Sequence, residues 1–373
     1  MTVKPLEKDK KFMLLALGIG RRGLGQTWPN PSVGCVIVND GHLVGHGYTG
    51  VSGRPHAEST ALSIAGNAAR GATAYVTLEP CSHWGQTPPC AELLIDAGIG
   101  RVVIAARDVD ARVNGQGAAR LTAAGIAVET GLLEAEATAD LAGYFYRFSR
   151  KRPWITLKIA STLDGKIATH EGESQWITGP ASRRWVHIMR GTHDAILTGI
   201  GTVLADDPEL TCRIDGFRKT DEIRIVIDSW LRIPLNGKLV SSARTKPVWV
   251  FAIKGNAAVS DLRNLGVRVF EVAEDGNGVD LREVMRILAE NGLTRVLVEG
   301  GGRIASSVIR EGFVDQVAWF HSSAIMGEGG WSSVHDMGVE KLAAMPVFGE
   351  PRVTRIGLDT LTEYKRALIC SPG

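Results

Sequence analysis

Long apolar runs are missing from this sequence. No stretch of about 18 apolar residues occurs, so no membrane-spanning helix is expected. The opening residues Met1-Thr2-Val3-Lys4-Pro5-Leu6-Glu7-Lys8 lack the apolar core of a secretory signal. Cysteine is scarce and odd in number: Cys35, Cys81, Cys90, Cys212 and Cys370. That usage fits a reducing compartment rather than a disulfide scaffold, and the cytoplasm is the expected location. No long block of like charge exists, and 42 basic against 40 acidic residues leave a net charge of +2. So small a charge speaks against a nucleic-acid partner. Internal repeats and low-complexity segments are also absent. What remains is an ordinary globular composition, with 373 residues, 44% hydrophobic and 22% charged. That length allows two or three domains, each able to bury its own core.

The first half alternates between short elements. Lys11 to Leu17 reads as a helix. Ser32–Val38 and His42–Tyr48 read as strands around an Asn39-Asp40-Gly41 turn, which is a hairpin signal. A helix follows over His56–Ala65, then a strand over Ala72–Leu78. A helix over Pro89–Ala97 opens on proline, where the missing N–H costs little. Arg101–Ala106, Ala118–Ala124 and Ile126–Glu129 continue as strand, helix and strand. Such alternation is an α/β layered sheet. Tyr144–Pro153, with Arg147, Arg150, Lys151 and Arg152, reads as a basic break, and domains of 1–149 and 150–373 are expected. In the second half, Trp154–Ala160, Ala195–Gly199, Ile223–Ile227, Pro247–Ile253, Val267–Val272, Arg295–Val298 and Gln316–His321 read as strands. Leu281–Ala289 and Ile304–Arg310 read as helices. Several of those strands are continuously apolar, as in a mainly parallel sheet covered on both faces.

Chemistry concentrates first at Pro55-His56-Ala57-Glu58 and at Pro80-Cys81 with Cys90. One imidazole and two thiolates suit zinc, whose catalytic sites leave a fourth position to water. H-x-E followed by P-C-x-x-C marks zinc nucleobase deaminases. Here eight residues, not two, separate the thiols. His56, Cys81 and Cys90 are the expected ligands, with Glu58 as proton shuttle rather than ligand. His83, between the thiols, would close the site as a fourth ligand; it is read as a pocket residue. His42, His46 and Cys35 lie in predicted strands and are read as surface or core. Elsewhere, Gly18-Ile19-Gly20-Arg21-Arg22-Gly23 matches G-x-G-x-x-G, but it follows a helical pattern and is rejected as a dinucleotide site. Arg295–Val298, then Glu299-Gly300-Gly301-Gly302, then Ile304–Arg310 does read as strand, glycine turn, helix. Such a turn either cradles phosphate or is an ordinary βα connection.

These motifs are joined by others. Pro29-Asn30-Pro31-x-Val33-Gly34 and Thr77-Leu78-Glu79-Pro80-Cys81-Ser82-His83 with Gly85-x-Thr87-Pro88-Pro89-Cys90 lie in the first half. Leu163-Asp164-Gly165-Lys166, Gly172-Glu173-Ser174-Gln175-Trp176-Ile177-Thr178, Leu204-Ala205-Asp206-Asp207-Pro208 and Val298-Glu299-Gly300-Gly301 lie in the second. Together they resemble the bifunctional deaminase–reductase family of riboflavin biosynthesis, over almost the whole chain. The resemblance implies a cytidine-deaminase-like αβα layered domain followed by a dihydrofolate-reductase-like domain. It implies zinc in the first and NADPH in the second, and a homo-oligomer acting on a pyrimidine ribosylamine phosphate. Asn30 then becomes a pyrimidine contact. Ala160, Trp176, Thr202, Asp206, Ser229 and the run Gly301, Gly302, Arg303, Ile304, Ala305, Ser306 and Ser307 match cofactor positions. Ser174, Arg190, Leu210, Arg213 and Glu299 match substrate positions. Guanidinium forks suit a sugar phosphate. Lys158, in an otherwise apolar strand, either snorkels or polarises the ribose carbonyl; Asp206 is the other candidate for proton delivery.

The expectation is therefore a two-step enzyme: zinc-dependent deamination, then NADPH-dependent reduction of a ribosyl to a ribityl chain. One rival is a deaminase of nucleic acid or free nucleosides, opposed by the charge and the long thiol spacing. Another is a nucleotide sensor with a structural zinc, opposed by the vacant fourth position and Glu58.

Overall fold

The computed structural model describes residues 5–85, 87–110 and 113–366. Met1 to Lys4, Gln86 and Cys370, all used in reading the sequence, lie outside them. The chain divides into two compact units. The first runs to Arg152 and takes in Asn291–Thr294; the second begins at Pro153 and holds the rest.

In chain order the first unit contains α1 (Pro5–Gly20), β1 (Gly34–Asn39), β2 (His42–Tyr48), α2 (Ala57–Ala65), β3 (Thr73–Leu78) and α3 (Cys90–Asp96). It continues with β4 (Arg101–Ala106), α4 (Gln116–Ala123), β5 (Ala127–Thr130), α5 (Glu134–Asp140) and α6 (Ala142–Ser149). The sheet order is β2-β1-β3-β4-β5, antiparallel around β1 and parallel from β3 to β5. The hairpin turn places both Asp40 (φ 48) and Gly41 (φ 81) in the left-handed region. A two-residue turn of that kind matches the twist of the strands it joins. On β2, a Cβ at Gly45 or Gly47 would fall 2.2 Å from the Ala61 oxygen or 2.4 Å from the Ala57 oxygen. The two glycines therefore let α2 lie directly on the sheet, which fixes where His56 and Glu58 begin that helix. Met13, Ala16 and Leu17 of α1 join Cys35, Val36, Ile37, Val76 and Ile104 in one core.

The basic break expected over Tyr144–Pro153 is instead largely helical, since α6 runs to Ser149. The charges sit against aromatic rings rather than in a solvated linker. Arg150 and Arg152 lie 4.7 and 5.2 Å from the centre of the Tyr146 ring, a favourable cation–π geometry.

The second unit contains β6 (Trp154–Ser161), β7 (Lys166–Ala168), α7 (Pro180–Gly191), β8 (Ala195–Gly199), α8 (Ile200–Asp206) and β9 (Ile223–Ile227). Next come α9 (Lys238–Ser241), β10 (Val248–Ile253), α10 (Val259–Asn264), β11 (Arg268–Val272), α11 (Leu281–Glu290) and β12 (Arg295–Glu299). The chain then forms α12 (Gly302–Arg310), β13 (Gln316–His321), β14 (Trp331–Ser332), β15 (Pro351–Ile356) and β16 (Asp359–Lys365). The large sheet has the order β11-β10-β9-β8-β12-β6-β13-β16-β15. It is parallel from β11 to β13, and the β15–β16 hairpin makes an antiparallel edge. The sequence reading had no element for that hairpin, nor for α7 and α8. Helix α7 sets Arg183, Arg184, His187 and Arg190 beside a short apolar stripe, with Ser182, Val186, Met189 and Gly191 buried; Pro180 at its first turn was the available signal. Strand β12 enters between the earlier strands β8 and β6. The carboxyl ends of these three strands therefore adjoin, and ligands of parallel sheets bind outside such ends.

Candidate active sites

In the first unit, His56 caps α2, Cys81 follows β3 and Cys90 opens α3. One donor atom from each lies within 4.8 Å of the others. His56 Nδ1 is 3.2 Å from Cys90 Sγ and 3.7 Å from Cys81 Sγ. Tetrahedral zinc with ordinary bond lengths separates such donors by about 3.5–3.8 Å. His83 is exposed and lies outside the cluster.

The electrostatics of the cluster call for a cation. The Cys81 thiol is pulled down to about 4, first by the Cys90 hydrogen bond and, against burial, by His56. Cys90 is pushed well up by the same sulfur pairing, by burial and by Glu58. His56 is raised, chiefly by its hydrogen bond to Cys81, with burial and the positive charge of Arg54 opposing. The two sulfurs thus share one proton, and a soft, tetrahedral dication in its place would hold both as thiolates. Glu58, in the first turn of α2, is buried. Burial and then the Cys81 charge push its carboxyl up to about 7.

The surroundings hold this geometry. The Glu79 carboxylate accepts N–H bonds from Gly115 at 3.0 Å and Ala118 at 3.1 Å, tying the stretch before Cys81 to the start of α4. Asn30 is half-buried; its amide donates to the Ser52 oxygen at 3.5 Å and sits where a Cβ of Gly53 (φ 89) would fall. Cys35 is core, whereas His42 and His46 are exposed on β2.

In the second unit, Lys158 and Glu299 are register partners across β6 and β12. Arg190 of α7 meets Glu299 with both prongs, Nε–Oε1 2.7 Å and Nη2–Oε2 2.9 Å. Burial alone would raise Glu299; Arg190 and then Lys158 overcome it and pull the carboxyl to about 2. Burial lowers Lys158, while Glu299 opposes and Arg190 adds to the shift. Next to this triad, Gly300 has φ 155, and a Cβ there would stand 3.0 Å from the Ile304 and Thr198 side chains and 3.1 Å from Thr202. The Gly301 N–H donates to Thr202 Oγ1 at 3.2 Å. The Thr198 hydroxyl is buried beside Gly300 and finds no hydrogen-bond partner among the described residues. Helix α12 starts at Gly302 with no side-chain cap. A glycine-lined turn, an uncapped helix start and an unpartnered hydroxyl fit a dinucleotide's phosphates.

The other expected residues have the following surroundings. The Arg190 fork is spent on Glu299, and its Nη1 donates to the Thr211 oxygen. Arg213 is exposed, 3.8 Å from Glu209 and 3.4 Å from His187 Nε2. The Leu210 side chain is in the core with Ile196 and Val203. Within the run 301–307, the Ala305 N–H already bonds the Gly301 oxygen, and the Ser306 and Ser307 hydroxyls donate to Gly302 and Arg303 oxygens. The open groups are therefore in the first turn, at Gly302, Arg303 and Ile304. Trp176 is exposed under the Arg183 guanidinium. Ser229 Oγ accepts from the Val279 N–H. Ala160 lies on β6 against a core cluster and Ser174 is half-buried. Asp206 ends α8, exposed, without a bond to the triad. Thr198 went unread in the sequence because only the inserted strand β12 brings Gly300 to it.

Comparison with known proteins matches this division. Residues 6–106 match the family model of the cytidine and deoxycytidylate deaminase zinc-binding region, and residues 153–362 match that of the RibD C-terminal domain. The riboflavin biosynthesis protein RibD of Aquifex aeolicus is 41% identical over 96% of this chain and 99% of its own. The chain belongs to the RibD family. RibD of Acinetobacter baumannii has the same fold, with a TM-score of 0.87 and 35% identity over 97% of this chain and 99% of that one. A diaminohydroxyphosphoribosylaminopyrimidine deaminase/5-amino-6-(5-phosphoribosylamino)uracil reductase of Thermotoga maritima gives a TM-score of 0.86 and 34% identity, over 98% and 100% of the two chains. As in RibD generally, a cytidine-deaminase-like, zinc-binding domain precedes an NADPH-dependent reductase domain of dihydrofolate-reductase-like fold. Among the described residues no helix is long and apolar enough to cross a membrane.

Proposed function

We propose that the chain deaminates a diamino-pyrimidinone ribosylamine 5′-phosphate and then reduces the opened ribosyl group to a ribityl chain, the two middle steps of riboflavin synthesis. The observation that carries the reading is the His56–Cys81–Cys90 cluster with the buried Glu58 beside it. These three residues would hold zinc, which when bound makes a coordinated water acidic enough to act as hydroxide near neutral pH. Glu58 takes the proton of the attacking water and returns it to the departing amine, which leaves as ammonia. Asn30 holds the pyrimidine ring. The first unit is thereby assigned deamination and the second reduction.

In the second unit the Gly300–Ile304 turn and Thr202 would hold NADPH, which when bound supplies a hydride. Lys158 hands a proton to the reducing centre of the opened ribose; its place beside Glu299 favours it over Asp206. Arg213 holds the phosphate, and Arg190 keeps Glu299 ionised and oriented towards the sugar. Unpaired Cys35, Cys81, Cys90 and Cys212 support a cytoplasmic location. Exposed Val347, Val353 and Leu358 along the β15 edge support a homo-oligomer.

The test feeds the zinc-loaded chain its ribosylamine phosphate with and without NADPH, following ammonia and NADPH absorbance together. Ammonia release without NADPH, and NADPH oxidation only after it, is expected. A zinc-loaded protein that releases no ammonia would refute the reading.

A further inference from the structure

Arg54 has no role in the account above, yet it stands at the rim of the metal centre. It lies on extended backbone (φ −142, ψ 147) two residues before His56. Its Nη1 donates to Thr87 Oγ1 at 2.8 Å. Its Nη2 lies beside Gly85, where a Cβ would stand 3.3 Å away. Both contacts are in the loop that joins Cys81 to Cys90. The guanidinium is thus laid across the segment between the two sulfur ligands.

Three other arginines of this unit are paired with carboxylates. Arg21 meets Asp140, Arg101 meets Asp9 and Glu129, and Arg120 meets Glu92. Arg54 is exposed and makes no ion pair among the described residues; one of its five N–H donors is engaged. Its long side chain is nevertheless held in place by Thr87, which removes part of the entropy cost of binding an anion. On the preceding residue, Gly53 makes room for the Asn30 amide. The short run Gly53-Arg54-Pro55-His56 therefore sets the Asn30 amide, a cation and a candidate metal ligand close together.

We propose that Arg54 reads the 5′-phosphate of the deamination substrate. A ring held between Asn30 and His56 carries its ribose phosphate outwards to the rim, and the guanidinium fork is complementary to that dianion. The inference rests on the reading of the first unit as a deaminase of a ribosylamine phosphate.

The test uses the full zinc-loaded chain, the phosphate ester and its dephosphorylated ribosylamine, with ammonia release as readout. Arg54→Gln is expected to raise KM for the ester on the order of tenfold, with kcat and zinc content little changed and kcat/KM for the phosphate-free compound unaffected. Arg54→Lys should recover part of the loss. Thr87→Val removes the hydrogen bond and leaves the charge, so its KM should rise by less than about fivefold. Equal losses on both substrates, a Thr87→Val effect as large as that of Arg54→Gln, or no change in Arg54→Gln would each overturn the proposal. If the wild-type chain deaminates neither compound, the deaminase reading falls, and this proposal with it.

Discussion

In the first unit every residue of the metal centre falls between His56 and Cys90, at the ends of two neighbouring strand–helix connections. In the second, Lys158 comes from β6, Arg190 from α7, Thr198 from β8, Thr202 from α8, and Glu299 from β12. The difference follows from the size of what is bound. A metal ion needs three donors a few ångströms apart, which short loops can deliver. A dinucleotide and a sugar phosphate need a cleft along the edge of a sheet, assembled from strands distant in sequence. The first site is therefore held by covalent proximity and electrostatic need, the second by topology.

That comparison can be broken most sharply at Glu58. Glu58→Gln should lower the kcat of deamination by roughly 10²–10⁴-fold. Zinc content and the reduction of pre-deaminated substrate should be unchanged. Loss of the metal would make Glu58 part of the coordination and not a proton carrier.

A smaller but wider effect is expected at Glu299. The Arg190–Glu299 pair is buried, and Glu299→Gln leaves the guanidinium without its counter-charge. Breaking a buried pair typically costs about 3–5 kcal/mol. Calorimetry should show the second unit unfolding earlier while metal-dependent deamination persists. Equal loss of both activities would mean that the two sites are not independently held.

The third prediction concerns pH. His193 is buried; its Nδ1 donates to the Met189 oxygen at 2.7 Å and its Nε2 accepts from Thr156 Oγ1 at 3.0 Å. Burial, then the nearby Arg295 charge, hold its pKa down at about 4. The neutral form is therefore the native one. Its contribution is complete above the unfolded value of about 6.5 and is lost as pH falls from there to about 4, at up to about 1.4 kcal/mol per pH unit. Urea midpoints across this range should show that slope, and His193→Gln should flatten it.

The smallest effect should be at Thr202. Thr202→Val removes the acceptor for the Gly301 N–H, and NADPH affinity, measured by calorimetry, should fall by about fivefold with deamination unaffected. An unchanged affinity would place the phosphates elsewhere along the sheet edge.

By itself, the sequence determined the two-part organisation, the alternation that makes both sheets and the choice of His56, Cys81 and Cys90 as candidate metal donors. These depend on local spacing: turn residues at Asp40-Gly41, a proline opening a helix, a histidine and a glutamate two residues apart. Only the tertiary structure decided which of the charged residues of the second half act on ligands. Nothing local in α7 announces that the Arg190 fork meets a buried carboxylate on β12. Nor does the sequence show that the Leu210 side chain packs into the core and that the Ser306 hydroxyl bonds its own helix. A side chain's type sets what it can bind. The neighbours that folding brings to it set whether it is still free to do so, and in a sheet where β12, late in the chain, enters between the earlier β8 and β6, those neighbours are remote in sequence.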